Sequence, residues 1–145
     1  MEHIKHNLMI DCKPEKVYNA ITTEKGIQGW WTADTIIEPS TGSIAEFIFG
    51  SRYHNKMKIT DLQPDKRVAW RCMEGDHEWV GTDFTFDIEN MEGKTLLRFG
   101  HNNWKELSDF YAHCNFQWGR YMVSLKNCPD EGRFTPAKSR PDEMI

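Results

Sequence analysis

The feature that most constrains the fold is a long amphipathic stretch near the end of the chain, residues 107–126. At helical spacing its large apolar side chains fall on one face. They are Leu107, Tyr111, Cys114, Trp118, Tyr121 and Leu125. Because aromatic rings dominate this face, the predicted helix must pack against a broad apolar surface formed by another part of the chain.

The middle of the chain supplies such a surface as a series of short strands. Turn signals separate six consecutive segments, which is typical of an antiparallel meander: residues 33–37, 43–49, 53–62, 67–72, 77–89 and 94–101. A further strand is predicted at residues 3–10. A short helix at 15–21 follows it, with Pro14 in the first turn, and a second helical turn is predicted at 27–31 after Gly26.

Alternation along the strands assigns the apolar side chains to one face. Phe84 and Phe86 share one side of their strand, whereas Asp83 and Thr85 share the other. Other strands show the same pattern in three sets: Val68, Trp70 and Cys72; Phe47 and Phe49; and Leu97, Phe99 and His101. These sets predict a concave apolar surface that the long helix covers.

Length and charge limit the classes of protein to which the chain can belong. A chain of 145 residues is expected to form one domain, which we place at residues 1–128, with a polar tail at 129–145. The net charge of −4 and the absence of a basic run argue against a nucleic-acid partner.

No apolar stretch is long enough to span a membrane, and the N-terminus lacks an apolar signal region. We therefore expect a cytoplasmic protein. Its four cysteines, none of which falls in a C-x-x-C pair, are expected to be reduced thiols, as is usual in the cytosol.

Several local motifs resemble those of a known superfamily. The matching segments are PEKVYNAITTEKGIQGWW, PSTGSIAEFIFG, DLQPDKRVAWRC, GKTLLRFGHNNW and FQWGRYMVSLKN, although Ser43 replaces the second glycine of the usual Gly-Gly-x-Phe hairpin. Together with the order of elements, they resemble the helix-grip fold of the START-like (SRPBCC) superfamily, which includes birch-pollen-allergen-like proteins and polyketide cyclases. The most similar branch is that of the bacterial homologues of the C-terminal domain of the activator of the heat-shock-protein-90 ATPase.

The resemblance implies an α+β fold in which a curved antiparallel sheet of about seven strands wraps around a long C-terminal helix. Two short helices follow the first strand. It also implies an internal cavity that holds lipids, sterols, polyketides or other apolar molecules. It does not imply co-chaperone activity, since the eukaryotic activator carries a separate chaperone-binding domain for which this chain has no room.

The predicted cavity defines the candidate ligand-binding residues. They are Trp30, Trp31, Phe47, Phe49, Trp70, Phe84, Phe86, Phe99, His101, Trp118 and Tyr121. The alternative is that these rings only form a solid core. The Trp30–Trp31 pair either gates the cavity or anchors the chain. His101 is expected at the cavity rim, where it either acts as an acid, base or ligand contact or bonds to a loop carbonyl.

Three functional hypotheses follow. We expect a protein that binds a small apolar or aromatic molecule rather than an enzyme. The alternatives are a cyclase or hydrolase that uses a cavity histidine or tyrosine as acid–base, and a protein-interaction or chaperone-cofactor domain. We expect neither a cofactor nor a metal, because H-E-x-x-H, C-x-x-C, P-loop and dinucleotide motifs are absent. A homodimer through strand edges or exposed aromatics such as Trp104 is a further expectation.

Overall fold

The computed structural model describes residues 1–127, and the predicted tail at 129–145 lies outside the described residues. In chain order the elements are β1 (Glu2–Ile10), α1 (Pro14–Thr22), α2 (Glu24–Gln28), β2 (Asp34–Ile36), β3 (Ile44–Phe49), β4 (Tyr53–Gln63), β5 (Arg67–Glu74), β6 (Asp83–Met91), β7 (Lys94–Trp104) and α3 (Asp109–Lys126). Among these residues, no helix has the length and apolar character needed to cross a membrane.

The strands form one antiparallel sheet of seven strands in the order β1-β7-β6-β5-β4-β3-β2. The long helix α3 runs beside the edge strand β1. The hydroxyl of Tyr111 donates to the carbonyl oxygen of His3 at 2.9 Å, and Lys126 Nζ donates to that of Met9 at 3.0 Å. These contacts satisfy backbone acceptors at an edge that would otherwise be open. The predicted helix-grip architecture is therefore confirmed.

The alternation predicted from the sequence holds for the large side chains of the long strands, although Ala69 in β5 is also buried. Phe84, Phe86 and Ile88 are buried together, and so are Val68 and Trp70. The opposite face carries cross-strand ion pairs, such as Arg71 with Asp83 at 2.9 Å. The sheet therefore has one apolar face, covered by helices, and one charged face that meets solvent.

The second short helix begins earlier than predicted. The sequence suggested a helical turn at 27–31, but α2 spans Glu24–Gln28 and Gly26 lies inside it. Thr23 starts the helix, because its hydroxyl oxygen accepts a hydrogen bond from the amide of Gly26 at 3.0 Å. Trp30 and Trp31 consequently follow the helix and lie in the connection to β2.

The strand predicted at 77–89 is shorter than expected. β6 begins at Asp83, and the preceding residues form turns. Asp76 initiates these turns, since its side-chain oxygen accepts from the amide of Glu78 at 2.9 Å and its carbonyl accepts from Trp79 at 2.8 Å. The turns place the Trp79 side chain, which is fully buried, in the core.

The link between β7 and α3 also differs from the prediction. β7 continues to Trp104, whose side chain is 1% exposed, so the expectation of an exposed Trp104 at a dimer contact is wrong. α3 starts at Asp109 instead of 107, because Ser108 caps it by accepting from the amide of Tyr111 at 3.0 Å. Leu107 lies before the cap and is 68% exposed.

The cysteines only partly match the prediction of reduced thiols. Cys72 and Cys114 are free and buried, and burial raises the pKa of each thiol to about 12. Cys12 is disulfide-bonded, which corrects the prediction at that residue, and Cys128 lies outside the described residues.

Packing between the two short helices predicts a glycine requirement. A Cβ at Gly26 would lie 2.3 Å from the carbonyl oxygen of Asn19 and 2.6 Å from Cα of Ala20, both backbone atoms of α1. Gly26→Ala should therefore destabilise the fold by about 1–3 kcal/mol, measured by urea unfolding. Gly119→Ala in α3 is the control, since its Cβ would meet its nearest neighbour, His6 Cε1, at 3.5 Å. That change should stabilise by up to about 1 kcal/mol, and equal effects of the two variants would contradict the prediction.

Candidate functional site

An aromatic layer fills the space between the sheet and α3. All six tryptophans of the chain are at most 1% exposed. The sequence-predicted candidates all lie in this buried core: Trp30, Trp31, Phe47, Phe49, Trp70, Phe84, Phe86, Phe99, His101, Trp118 and Tyr121. The structure brings them together as one cluster, in which neighbouring rings are in direct contact. Their role in ligand binding stays a prediction.

Trp31 occupies the middle of this layer. Its ring centroid lies 4.6 Å from that of Phe47 and 5.9 Å from that of Trp70, both on the sheet, and the Trp70 ring is stacked on it at 11°. On the other side it lies 5.2 Å from Trp118 of α3. Trp31 itself belongs to neither surface, because it comes from the connection between α2 and β2.

The two adjacent tryptophans are held differently. The indole N–H of Trp30 donates to the carbonyl oxygen of Ala20 in α1 at 2.8 Å. The indole N–H of Trp31 has no hydrogen-bond partner although it is buried. Trp30 is thus anchored by a directional bond, whereas ring packing alone retains Trp31.

His101 lies in the core instead of at a cavity rim, which corrects the prediction. It is 0% exposed and bonded at both ring nitrogens. The indole N–H of Trp118 donates to Nδ1 at 3.1 Å, and Nε2 lies 2.9 Å from Oγ1 of Thr82. Thr82 donates its own hydroxyl proton to the carbonyl oxygen of Trp79 at 2.6 Å. This network assigns the proton of the neutral imidazole to Nε2.

Burial lowers the pKa of His101 well below its ordinary value of 6.5. In the neutral ring, Nδ1 accepts a hydrogen bond from the indole N–H of Trp118. Protonation of Nδ1 would replace this acceptor with a second N–H that points at the indole N–H. His101 is therefore a neutral structural residue in this conformation. The geometry gives no support to the alternative in which it serves as an acid–base catalyst.

A few buried polar atoms in the layer lack partners. Asn55 of β4 is 0% exposed, and neither its Oδ1 nor its Nδ2 has a hydrogen bond. The indole nitrogens of Trp70 and Trp104 are also unpaired. The indole N–H of Trp79 lies near the Cys114 thiol and offsets part of the rise that burial causes in the pKa of that thiol. It does not form a hydrogen bond with good geometry, so Nε1 of Trp79 is also unpaired. Since buried polar groups are nearly always paired, these atoms mark positions where water or a ligand is expected.

An open cavity adjoins the layer beside α1. Its volume is about 700 Å³, within the range of ligand pockets. Among the described residues it is lined by Lys13, Pro14, Glu15, Asp65, Lys66, Ile88, Glu89, Asn90 and Gly93. Ile88 follows Phe86 on the inward face of β6, so the cavity borders one end of the aromatic layer. The sequence analysis did not identify this cavity, because turns and a helix end distant in sequence form it.

One group of potential metal ligands occurs among residues 1–127. The ligand atoms of Asp76, His77 and Glu78 lie within 4.8 Å of one another in the turn after β5. Asp76 already accepts from the backbone of Glu78, and Glu78 accepts from the hydroxyl of Ser108 at 2.5 Å. These bonds give the carboxylates a structural role in the turn and in the cap of α3.

Sequence reasoning missed Asn55, Thr82, Trp79 and Trp104 as members of the core. A signal existed for Asn55, because alternation along β4 puts it on the same side as Met57 and Ile59. Trp79 gave no such signal, since it lies in turns that have no periodicity.

The low pKa of His101 predicts a specific pH dependence. Between the ordinary pKa and the folded-state pKa the unfolded chain binds a proton that the folded protein does not. The stability that depends on a neutral His101 is therefore fully present above about pH 6.5. As the pH falls below this value, the free energy of unfolding decreases by about 1.4 kcal/mol per pH unit. His101→Gln can keep both hydrogen bonds but cannot titrate, so its unfolding free energy should fall less steeply between pH 6.5 and 5. Parallel pH profiles of the two proteins in urea unfolding would refute this assignment.

Comparisons with known proteins identify relatives of the chain. The sequence pattern of the family described as activator of Hsp90 ATPase homolog 1-like protein matches residues 11–129. The solution structure of the Aha1 dimer from Colwellia psychrerythraea is 38% identical, with a TM-score of 0.80, and the match covers 92% of this chain and 99% of that one. No curated protein matches the sequence.

More distant structures share the fold alone. DynU16, a putative protein in the dynemicin biosynthetic locus, is 13% identical with a TM-score of 0.76, covering 87% of this chain and 46% of that chain. CalU16 from Micromonospora echinospora is 15% identical with a TM-score of 0.68, covering 86% and 71%. Since the family pattern extends from the end of β1 to beyond α3, this chain belongs to the family of activator of Hsp90 ATPase homolog 1-like proteins.

Proposed function

We propose that this protein binds a small apolar or aromatic molecule between the sheet and α3, in the position that the Trp31 side chain occupies in the closed structure. Membership of the family and the fold shared with proteins such as DynU16 and CalU16 support a ligand-binding function in general terms. The particular site is inferred from the residues of the aromatic layer.

The observation that carries the proposal is the way in which Trp31 is held. It fills the gap between Phe47 and Trp70 on one side and Trp118 on the other, but it arises from a connecting segment and makes no side-chain hydrogen bond. Displacing it breaks no such bond, whereas displacing Trp30 would break the bond to Ala20. Ring contacts of this kind contribute about 0.5–1.5 kcal/mol each beyond area burial, and an aromatic ligand can replace them.

A ligand in this position would contact the five rings that surround Trp31 and little solvent. The vacated space is the size of an indole, so a fused two-ring molecule is the smallest ligand that restores the packing. Displacement of Trp31 lowers the apparent affinity, because the binding-competent state is only a fraction of the population. The protein therefore acts as a binder whose site opens when the ligand enters.

A matched pair of tryptophan variants tests the proposal. Trp31→Phe shortens the side chain that blocks the site, and the apparent Kd for 2-naphthol should fall about tenfold because less protein must be displaced. Trp104→Phe makes the same truncation at another buried, unpaired indole, outside the proposed site, and should leave the Kd unchanged. Binding can be measured by isothermal titration calorimetry. Equal affinities of Trp31→Phe and wild type would contradict the proposal and favour the cavity beside α1 as the binding site.

Self-association through the outer face of α3 is a second candidate function. Phe116 and Val123 lie one above the other on this face, seven residues apart, and are 67% and 59% exposed. Antiparallel pairing of two copies about a two-fold axis would place Phe116 of each copy against Val123 of the other. The 38% identical relative is a dimer, which supports a second copy as the partner.

A charge on the helix face should separate the copies if this candidate is correct. We expect wild type to be a dimer and Phe116→Glu to be a monomer by size-exclusion chromatography with light scattering. Ile44→Glu, at a residue that is 46% exposed on β3, is the control and should remain dimeric. A monomeric wild type, or a Phe116→Glu variant that stays dimeric, would contradict the pairing.

A further inference from the structure

The connection between α2 and β2, residues 29–33, carries the Trp31 side chain into the aromatic layer. The Trp31 ring is 0% exposed and contacts five other rings, those of Trp30, Phe47, Phe49, Trp70 and Trp118. Because protein interiors are close-packed, a ring enclosed on so many sides leaves only when the backbone that carries it also moves. The bonds that hold this backbone therefore control access to the site.

The first half of the connection is bonded to the two short helices. The amide of Trp31 donates to the carbonyl oxygen of Ile27 at 2.9 Å, and the amide of Gly29 donates to that of Gly26 at 3.0 Å. The indole of Trp30 is bonded to α1. These bonds fasten the first half to α1 and α2, so the attachment of the connection to the sheet depends on the residues that follow.

The second half is bonded to the sheet through Thr32, the residue directly after Trp31. Thr32 is 2% exposed, and its hydroxyl donates to the carbonyl oxygen of Ile48 on β3 at 2.7 Å. The same hydroxyl oxygen accepts from the amide of Asp34, the first residue of β2, at 3.3 Å. One buried hydroxyl thus joins the connection both to β3 and to the start of β2.

The pairing of β2 with β3 begins after this hydroxyl. The ladder runs from Asp34 to Ile36 on β2, opposite Ile48 to Glu46 on β3. Since its first pair lies two residues beyond Thr32, the connection can separate from β3 while β2 stays in place. Release of the connection from the sheet therefore breaks the Thr32 bond without the loss of a strand.

We propose that Thr32 is a positioning residue that keeps the Trp31 site closed, and that release of its bond to Ile48 admits the ligand. One hydrogen bond of this kind corresponds to about a fivefold change in the ratio of closed to open protein. This inference rests on the proposed function, because it names the residue that regulates access to that site.

The first experiment needs no ligand and measures exchange of the Trp31 indole N–H with deuterated water by NMR. This proton is buried and unpaired, so it meets solvent when the connection opens. Thr32→Val has a similar shape but lacks the hydroxyl, and it should accelerate the exchange about fivefold. Thr32→Ser keeps the hydroxyl and should exchange at the wild-type rate. The indole N–H of Trp104, also buried and unpaired, is the internal reference and should not change.

A second threonine provides the control for a general loss of stability. Thr35 on β2 is 7% exposed, and its hydroxyl donates to the carbonyl oxygen of Glu46 on β3 at 3.1 Å. Thr35→Val removes the same kind of bond, but inside the strand pairing. It should leave the exchange of the Trp31 indole at the wild-type rate even if the unfolding midpoint falls. Unchanged exchange in Thr32→Val, or equal acceleration in both valine variants, would overturn the role of Thr32.

The second experiment measures the binding of 2-naphthol by calorimetry. A larger open fraction lowers the apparent Kd in proportion, so Thr32→Val should bind about fivefold more tightly than wild type. Thr32→Ser and Thr35→Val should bind as wild type does. Faster exchange in Thr32→Val without binding by any variant would refute the proposed function and support the role of Thr32. Binding that Trp31→Phe tightens but Thr32→Val does not would refute the role of Thr32 alone.

Discussion

Contact between the rings of the sheet and those of α3 is the interaction on which the rest of the structure depends. Phe84 and Phe99 contact Trp118 directly across the layer, and Trp31 lies between Trp70 and Trp118. Each buried large apolar side chain stabilises the fold by roughly 1.5–3 kcal/mol, so the layer contributes a large share of the stabilising free energy. The strand register and the position of α3 both follow from the need to bury these rings.

Two parts of the layer differ in their polar chemistry. Around His101, hydrogen bonds run from Trp118 through His101 and Thr82 to the Trp79 carbonyl and pair both ring nitrogens. Such a network specifies one rigid arrangement of the side chains that it contains. Around Phe47, by contrast, the Trp31 side chain is held by ring packing without a hydrogen bond, and this is the position at which binding is proposed.

The sequence predicted the architecture because the apolar periodicities are strong. The alternation of Phe84, Phe86 and Ile88, and the helical spacing of Cys114, Trp118 and Tyr121, depend only on local geometry. Errors arose where a single side chain decides the backbone path: Thr23 starts α2 before Gly26, and Asp76 turns the chain before β6. Trp104 was assigned to the surface because the predicted strand ended too early.

The candidate site was predictable as a set of rings but not as an arrangement. Alternation indicates which rings face inward, yet it cannot tell whether they enclose a space or fill it. That outcome depends on Trp31, whose position is set by the connection after α2 and by packing against three different elements. The hydrogen bonds of His101 and the unpaired state of Asn55 likewise depend on residues distant in sequence.

The most direct test of the central claim is fluorine NMR of protein labelled with 5-fluorotryptophan, titrated with 2-naphthol. The Trp31 resonance can be assigned from its absence in Trp31→Phe. Displacement by the ligand predicts that this resonance moves towards the shift of a solvent-exposed indole at saturation, while that of Trp30 stays near its original position. A Trp31 resonance that remains at its buried shift when the protein is saturated would contradict the claim that the ligand takes the place of this side chain.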